Sequence, residues 1–127
     1  MALVFVETWQ HECCGEPFAV RDTVTWPLVP VSEHADLAVR LGADVGGRVS
    51  SEVERHVEGV PEVRLRIQRI RAAFCAYERD PVGTGGVTHR PVAGTTVFEG
   101  LRAVDRTHEV RAGLQWVGYV VDAEPLG

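Results

Sequence analysis

Two adjacent cysteines near the start of the chain are the residues whose types most readily suggest chemistry. Cys13 and Cys14 lie in a polar segment that runs from His11 to Phe18 and separates two apolar runs. Zinc takes four ligands from thiolate and imidazole groups, so His11, Cys13 and Cys14 could supply three of them. His56 is the candidate for the fourth. This pattern suggests a zinc or iron protein, structural or hydrolytic.

The spacing of the two cysteines leaves other interpretations open. Structural zinc sites commonly separate paired cysteines by two residues, whereas adjacent side chains on an extended backbone point apart. Only a tight turn at Gly15 would bring both sulfurs to one ion. One alternative is a reactive thiol whose pKa is tuned by His11 or Glu12. The interpretation we favour is structural, with one sulfur in the core and the other beneath the turn.

A second group of residues suggests ligand binding. Arg64 and Arg66 begin a run of alternating arginines that could form a cationic ladder for an anionic ligand, and Trp9 could stack on a ligand. The competing interpretation, which we favour for the arginines, is a solvated face that pairs with the eighteen acidic residues. The chain contains no glycine-rich phosphate loop, nucleophile elbow or dinucleotide fingerprint.

Composition indicates a soluble domain spanning residues 1–127. The chain is 45% hydrophobic and 24% charged, with a formal charge of −5 that disfavours binding to nucleic acid or to an anionic membrane. The N-terminus lacks a basic region, and three cysteines do not make a secreted disulfide framework, so we expect a cytoplasmic protein. All thirteen basic residues are arginine, and lysine and asparagine are absent, which indicates a GC-rich bacterial genome.

Hydrophobic periodicity predicts the elements that would carry these residues. The run at 2–9 is apolar on both faces of a strand, and we expect it to pair with the run at 18–28 in a hairpin through the cysteine segment. A short helix is predicted at 33–41, with Ser32 as its N-cap and Gly42 as the residue that ends it. The remaining predictions are strands at 95–104 and 114–122, a helical turn at 51–54 with a capping-box pattern, and a loop at 79–94.

The segment 61–78 fits two periodicities. As a helix, it places Val63, Ile67 and Ile70 on one stripe, with Leu65 as the outlier. As a strand, Val63, Leu65 and Ile67 alternate with arginines, and a one-residue bulge near Gln68 restores the alternation for the residues that follow. Periodicity alone leaves both structures open.

The segment from Trp9 to Trp26 resembles the opening of a family of small uncharacterised bacterial proteins from GC-rich genomes. The likeness lies in a Cys-Cys-Gly-x-Pro-Phe core followed by Val-x-Asp-x-Val-x-Trp, with weaker similarity at His56, at 63–75 and at 117–119. Arg21 stands where such a turn would carry glycine. The resemblance implies no activity or cofactor, but its members tolerate glycine within 61–77, which favours a strand there.

These patterns together predict a mainly-β protein, a small, partly open barrel of the SH3-like or OB-like kind with about five strands and one short helix. The alternative is an α+β fold with residues 61–78 helical. For function, we expect a non-enzymatic module that binds a protein or small molecule, with the cysteine segment at its functional rim. A metal-binding protein that uses zinc is the alternative.

Overall fold

The computed structural model describes residues 1–79 and 89–127. Within them, the chain forms ten strands and three short helices. The helices are α1 (Thr8–Cys14), α2 (His34–Leu41) and α3 (Ala43–Arg48). The strands are β1 (Ala2–Glu7), β2 (Phe18–Ala19), β3 (Thr23–Pro30), β4 (Ser51–Val53), β5 (Glu62–Cys75), β6 (Tyr77–Arg79), β7 (His89–Pro91), β8 (Val97–Leu101), β9 (Ala103–Val104) and β10 (Gln115–Pro125).

Five of the strands close into a barrel. Their order is β10-β1-β4-β3-β5, and β5 pairs with β10 to complete the circle. Neighbours are antiparallel except for β1 and β4, which are parallel. The predicted mainly-β barrel of about five strands is therefore confirmed, although the barrel is closed and is accompanied by three helices instead of one.

Strand β5 resolves the ambiguity at 61–78 in favour of a strand, so the helical alternative is wrong. β5 pairs with β10 along its length, with β3 at its start and with β8 at its end. A register shift leaves Gln68 as the extra residue, which confirms the predicted bulge. The bulge keeps Leu65, Ile67, Ile70 and Phe74 inside the barrel on both sides of the irregularity.

A helical layer covers one outer face of the barrel. Leu37 and Leu41 of α2, with Val45 of α3, pack against outward-facing side chains of β1 and β10, including Phe5 and Val120. Those strands are therefore apolar on both faces, as the sequence of the first strand predicts. The predicted helix at 33–41 is confirmed as α2, one residue shorter.

The predicted hairpin through the cysteine segment is wrong. β1 pairs with β10 and β4, and Thr8–Cys14 forms α1 in place of an extended end and a turn. The helix buries Gln10 and His11 against the barrel and leaves Trp9 exposed, which is a helical and not an alternating pattern. Burial of the two polar residues depends on tertiary partners, so local apolar spacing gives no signal for this helix.

Other boundaries differ where turns or sheet pairing interrupt the pattern. The predicted helical turn at 51–54 is wrong: Ser51–Val53 forms strand β4, because β1 and β3 satisfy its backbone groups on both sides, and Glu54 follows the strand. The run at 18–28 divides into β2 and β3 at Arg21, whose φ of 79° lies where glycine is favoured. The run at 95–104 divides into β8 and β9, and that at 114–122 is β10.

The predicted loop at 79–94 is described only in part. β7 pairs with β6, and positions 80–88 of the prediction lie outside the described residues. Across residues 1–79 and 89–127, no helix has both the length and the apolar character needed to cross a membrane.

Candidate functional site

The helix α1 presents two of the sequence-predicted residues on one exposed face. Trp9 and Cys13 are four residues apart and therefore lie one above the other on the helix surface. Trp9 is 47% exposed, and Cys13 is also exposed. The helix ends at Gly15, whose N–H donates to the carbonyl of His11 at 2.9 Å. A Cβ at Gly15 would meet the His11 ring, so the end of the helix requires glycine.

A buried glutamine joins this helix to the segment after β4. The Oε1 atom of Gln10 accepts the N–H of Arg55 at 3.1 Å, and its Nε2 donates to Oε1 of Glu54 at 3.0 Å. The N–H of His56 donates to the same carboxylate oxygen at 2.9 Å. Gln10 is 1% exposed, and both ends of its amide form hydrogen bonds that hold residues 54–56 beside α1.

This attachment brings the imidazole of His56 onto the exposed face of α1. Its ring stacks on Trp9 with centroids 4.6 Å apart and an interplanar angle of 32°. Its Nε2 lies 3.3 Å from Sγ of Cys13, and its Nδ1 lies 3.9 Å from Oε1 of Glu54. We call Trp9, Cys13, Glu54 and His56 the Trp9 patch.

The carboxylate of the Trp9 patch is held in its ionised form. The pKa of Glu54 is lowered by the hydrogen bond from the backbone of His56, then by the one from Gln10, and finally by the charge of His56. A thiol, an imidazole and a carboxylate in this order have the components of an activated nucleophile.

His11 lies on the other side of α1 and does not join the patch. It is 3% exposed, and its Nε2 contacts the carbonyl of Asp105 at 2.7 Å. Its ring makes edge contacts with Phe18, Trp116 and Tyr119 inside the barrel. Residues two apart on a helix point in nearly opposite directions, so the predicted set of His11 with Cys13 and His56 is not assembled.

The zinc hypothesis is accordingly not favoured by this geometry. No group of three histidine, cysteine or acidic side chains that could hold a metal ion occurs in the part of the chain that the structure describes. Cys14 is the last residue of α1, and its inclusion in a metal site stays a prediction.

Arg64 and Arg66 lie away from α1, on the outer face of β5. They are exposed and stand opposite Thr25 and Thr23 of β3. Their proposed role in ligand binding stays a prediction, and they belong to a different element from the Trp9 patch.

Two surface clefts adjoin the segment that carries Glu54 and His56. Their volumes are about 320 and 410 Å³, and Arg55 lines both. The Nε atom of Arg55 is buried and has no hydrogen-bond partner among the described residues. The first cleft is lined by Glu16, Pro17, Phe18, Asp22, Thr23, Val24, Thr25, Trp26 and Arg55, and the second by Pro27, Glu54, Arg55, Val57, Gly59, Val60 and Glu62.

Sequence reasoning missed several residues of this surface. The capping-box spacing predicts a helical turn at Glu54, and Gln10 carries no signal, because a buried glutamine is recognised only from its partners. Val57 is 59% exposed and follows His56 directly, but a single apolar residue in a polar loop predicts nothing by itself.

The comparisons with known proteins identify a family without an assigned activity. The model of a family of unknown function, DUF6578, matches residues 1–125. No curated protein and no solved structure matches the chain.

Proposed function

This chain belongs to the DUF6578 family, whose function is unknown, and we propose that it is a peptide-binding module. Its contact surface is the Trp9 patch together with Val57 and the two clefts that meet at Arg55. The ligand is an extended segment of a partner protein that carries an apolar anchor and positive charge. The observation that carries this proposal is the exposed ring of Trp9, which the neighbouring ring of His56 holds in place.

The filled interior of the barrel favours binding on the outside. The largest described side chains that point inward, among them Phe74, Tyr119 and Ile67, are fully buried and in mutual contact with the rest of the core. A core packed in this way accepts extra atoms only at a cost of about 1–3 kcal/mol. A ligand is therefore better accommodated at the surface.

Trp9 has the properties of an interface anchor. Tryptophan is enriched among the residues that dominate binding energy, because it buries a large apolar area with few rotatable bonds. Stacking on His56 restricts the ring before a ligand arrives, which lowers the entropy that binding must spend. Val57 extends the apolar surface from the patch to the second cleft.

Charge on the two clefts indicates the character of the ligand. Glu16 and Asp22 line the first cleft, and Glu54 and Glu62 line the second, while Arg55 is shared. Each cleft thus has two carboxylates against one guanidinium. Complementary charge speeds association and selects among partners, so a segment with lysine or arginine beside its apolar anchor fits this surface best.

Selection from a displayed peptide library tests the proposal. Peptides that bind the full chain should be enriched in lysine or arginine beside an aromatic or aliphatic residue. We expect Trp9→Ala to lower the affinity for a selected peptide by about tenfold or more, which is the typical cost of losing a central aromatic anchor. Val57→Ser should lower this affinity by less. Isothermal titration calorimetry measures both.

Val110→Ser is the matched control, since Val110 is 80% exposed but lines neither cleft. The Val110→Ser variant should bind a selected peptide with the same affinity as the unchanged protein. Selected peptides that bind Trp9→Ala as tightly as the unchanged chain, or that lack basic residues, would show that the proposed surface is wrong.

A further inference from the structure

We propose that Cys13 is a reactive thiol that forms a mixed disulfide with a low-molecular-weight disulfide, with His56 as its base. This site of reversible modification goes beyond peptide binding and does not depend on it. The geometry that points to it is the contact between Sγ of Cys13 and Nε2 of His56 at 3.3 Å.

The imidazole is oriented for proton transfer by three separate contacts. Stacking on Trp9 fixes the plane of the His56 ring. The hydrogen bond from the backbone N–H of His56 to Glu54 holds the backbone that carries this ring. The same Glu54 carboxylate lies 3.9 Å from Nδ1, on the side of the ring away from the thiol. These contacts leave Nε2 directed at Sγ of Cys13, within reach of the proton that it would accept.

Exposure distinguishes Cys13 from the other cysteine whose side chain is described. Exchange requires the thiolate to reach a disulfide sulfur, and Cys13 is exposed on α1. Cys75 is 0% exposed, and burial raises the pKa of its thiol. The chain thus offers a reactive and an unreactive thiol within one molecule.

The exchange is balanced with one disulfide as the co-reactant. The thiol of Cys13 gives its proton to Nε2 of His56, and Sγ attacks one sulfur of the disulfide RS–SR. The S–S bond breaks, and the leaving thiolate RS⁻ takes the proton from His56. The products are the mixed disulfide of Cys13 and one thiol RSH, and a second thiol reverses the step. This exchange requires a base that is oriented to accept the thiol proton, and a sulfur that the disulfide can reach.

Glutathione disulfide added to the full chain is the test. In a Cys14→Ser background, intact-mass and peptide-mapping spectrometry should show modification of Cys13 at least about tenfold faster than of Cys75, because thiolate fraction and access both favour Cys13. His56→Gln should slow the modification of Cys13 by about tenfold at neutral pH and move its pH profile to higher pH. Circular dichroism checks that each variant is folded.

His108→Gln is the matched control. His108 is another exposed histidine paired with a carboxylate of α1, with its Nδ1 2.6 Å from Oε1 of Glu12. Its replacement should leave the rate at Cys13 unchanged. A folded His56→Gln protein that reacts as fast as its parent, or a Cys13 that reacts no faster than Cys75, would overturn the proposal.

Discussion

At the scale of the residue, Arg40 organises a group of acids beneath the helical layer. Its guanidinium donates to Glu7 at 2.9 Å and to Asp36 at 2.8 Å, and it lies 5.3 Å from the centre of the Phe5 ring. Glu52 of β4 is the acid with the least favourable position in this group. Burial is the largest cause that raises the pKa of Glu52, and the negative charge of Glu7 raises it further. The positive charge of Arg40 lowers this pKa.

We predict that Glu52→Gln stabilises the protein at neutral pH. A carboxyl group whose pKa is higher in the folded state favours folding below its unfolded pKa of about 4.5, and this contribution is lost as the pH rises through the folded value. The charged form present at pH 7 therefore opposes folding. Urea unfolding should give the variant a larger free energy of unfolding than the unchanged protein at pH 7, with a smaller difference at pH 4.

Glu58→Gln, at an exposed loop position, serves for comparison and should change the free energy of unfolding at pH 7 by less than about 0.5 kcal/mol. A Glu52→Gln protein that is less stable than the unchanged chain at pH 7 would mean that Arg40 outweighs the burial of this carboxyl group.

At the scale of the element, α1 is too short to exist without the barrel. A helix of seven residues lies below the length at which isolated helices are stable in water, and no side chain caps its N-terminus. Tertiary hydrogen bonds hold it instead. Thr8 donates to the carbonyl of Trp116 at 3.1 Å. His11 contacts the carbonyl of Asp105, and Gln10 accepts the N–H of Arg55. The Trp9 patch exists only while these contacts hold.

We predict that Gln10→Leu costs about 1–3 kcal/mol of stability, because the N–H of Arg55 loses its acceptor and the carboxylate of Glu54 loses one of its two donors. The same change should slow the modification of Cys13, since the segment that carries His56 is released. Thermal unfolding and the rate with glutathione disulfide measure the two effects.

Gln68→Leu provides the comparison at an exposed glutamine of the β5 bulge, whose Nε2 donates to Glu124 at 3.1 Å. It should change stability by less than about 0.5 kcal/mol and leave Cys13 unaffected. Equal losses from both variants would argue against a clamp at Gln10.

At the scale of the whole molecule, the barrel closes through β10, which pairs with β1 on one edge and β5 on the other. The close approach of β1 and β10 depends on Gly118, whose φ is 151° and whose absent side chain leaves room for the carbonyl of Val6. A strand that closes the barrel tolerates little displacement, because every neighbouring pair must keep its register.

We predict that Gly118→Ala costs about 2 kcal/mol or more, since a Cβ there meets backbone and the dihedral disfavours other residues. Gly47→Ala is the opposite case: nothing lies near its Cβ in α3, so the change should stabilise the protein by up to about 1 kcal/mol. Denaturant unfolding measures both. A Gly118→Ala protein as stable as Gly47→Ala would contradict the requirement for close approach.

Local patterns were sufficient to predict much of the barrel. The helix α2 and the apolar faces on both sides of β1 follow from periodicity and capping signals within a few residues of each other. For β5, alternation indicates the bulge at Gln68, but periodicity fits a helix as well, and the pairing with β3, β8 and β10 decides for the strand. Such signals depend on which side chains share a face, and that is decided by the backbone period alone. The sequence therefore determined a mainly-β protein of about five central strands.

Only the tertiary structure decided where the cysteine segment points and what it meets. α1 forms because Gln10 and His11 find partners 44 and 94 residues away, and no local pattern reports partners at such separations. The same long-range contacts separate His11 from Cys13 and bring His56 to it across 43 residues. The candidate site is a product of the parallel pairing of β1 with β4, because this pairing places α1, which follows β1, beside the segment that follows β4.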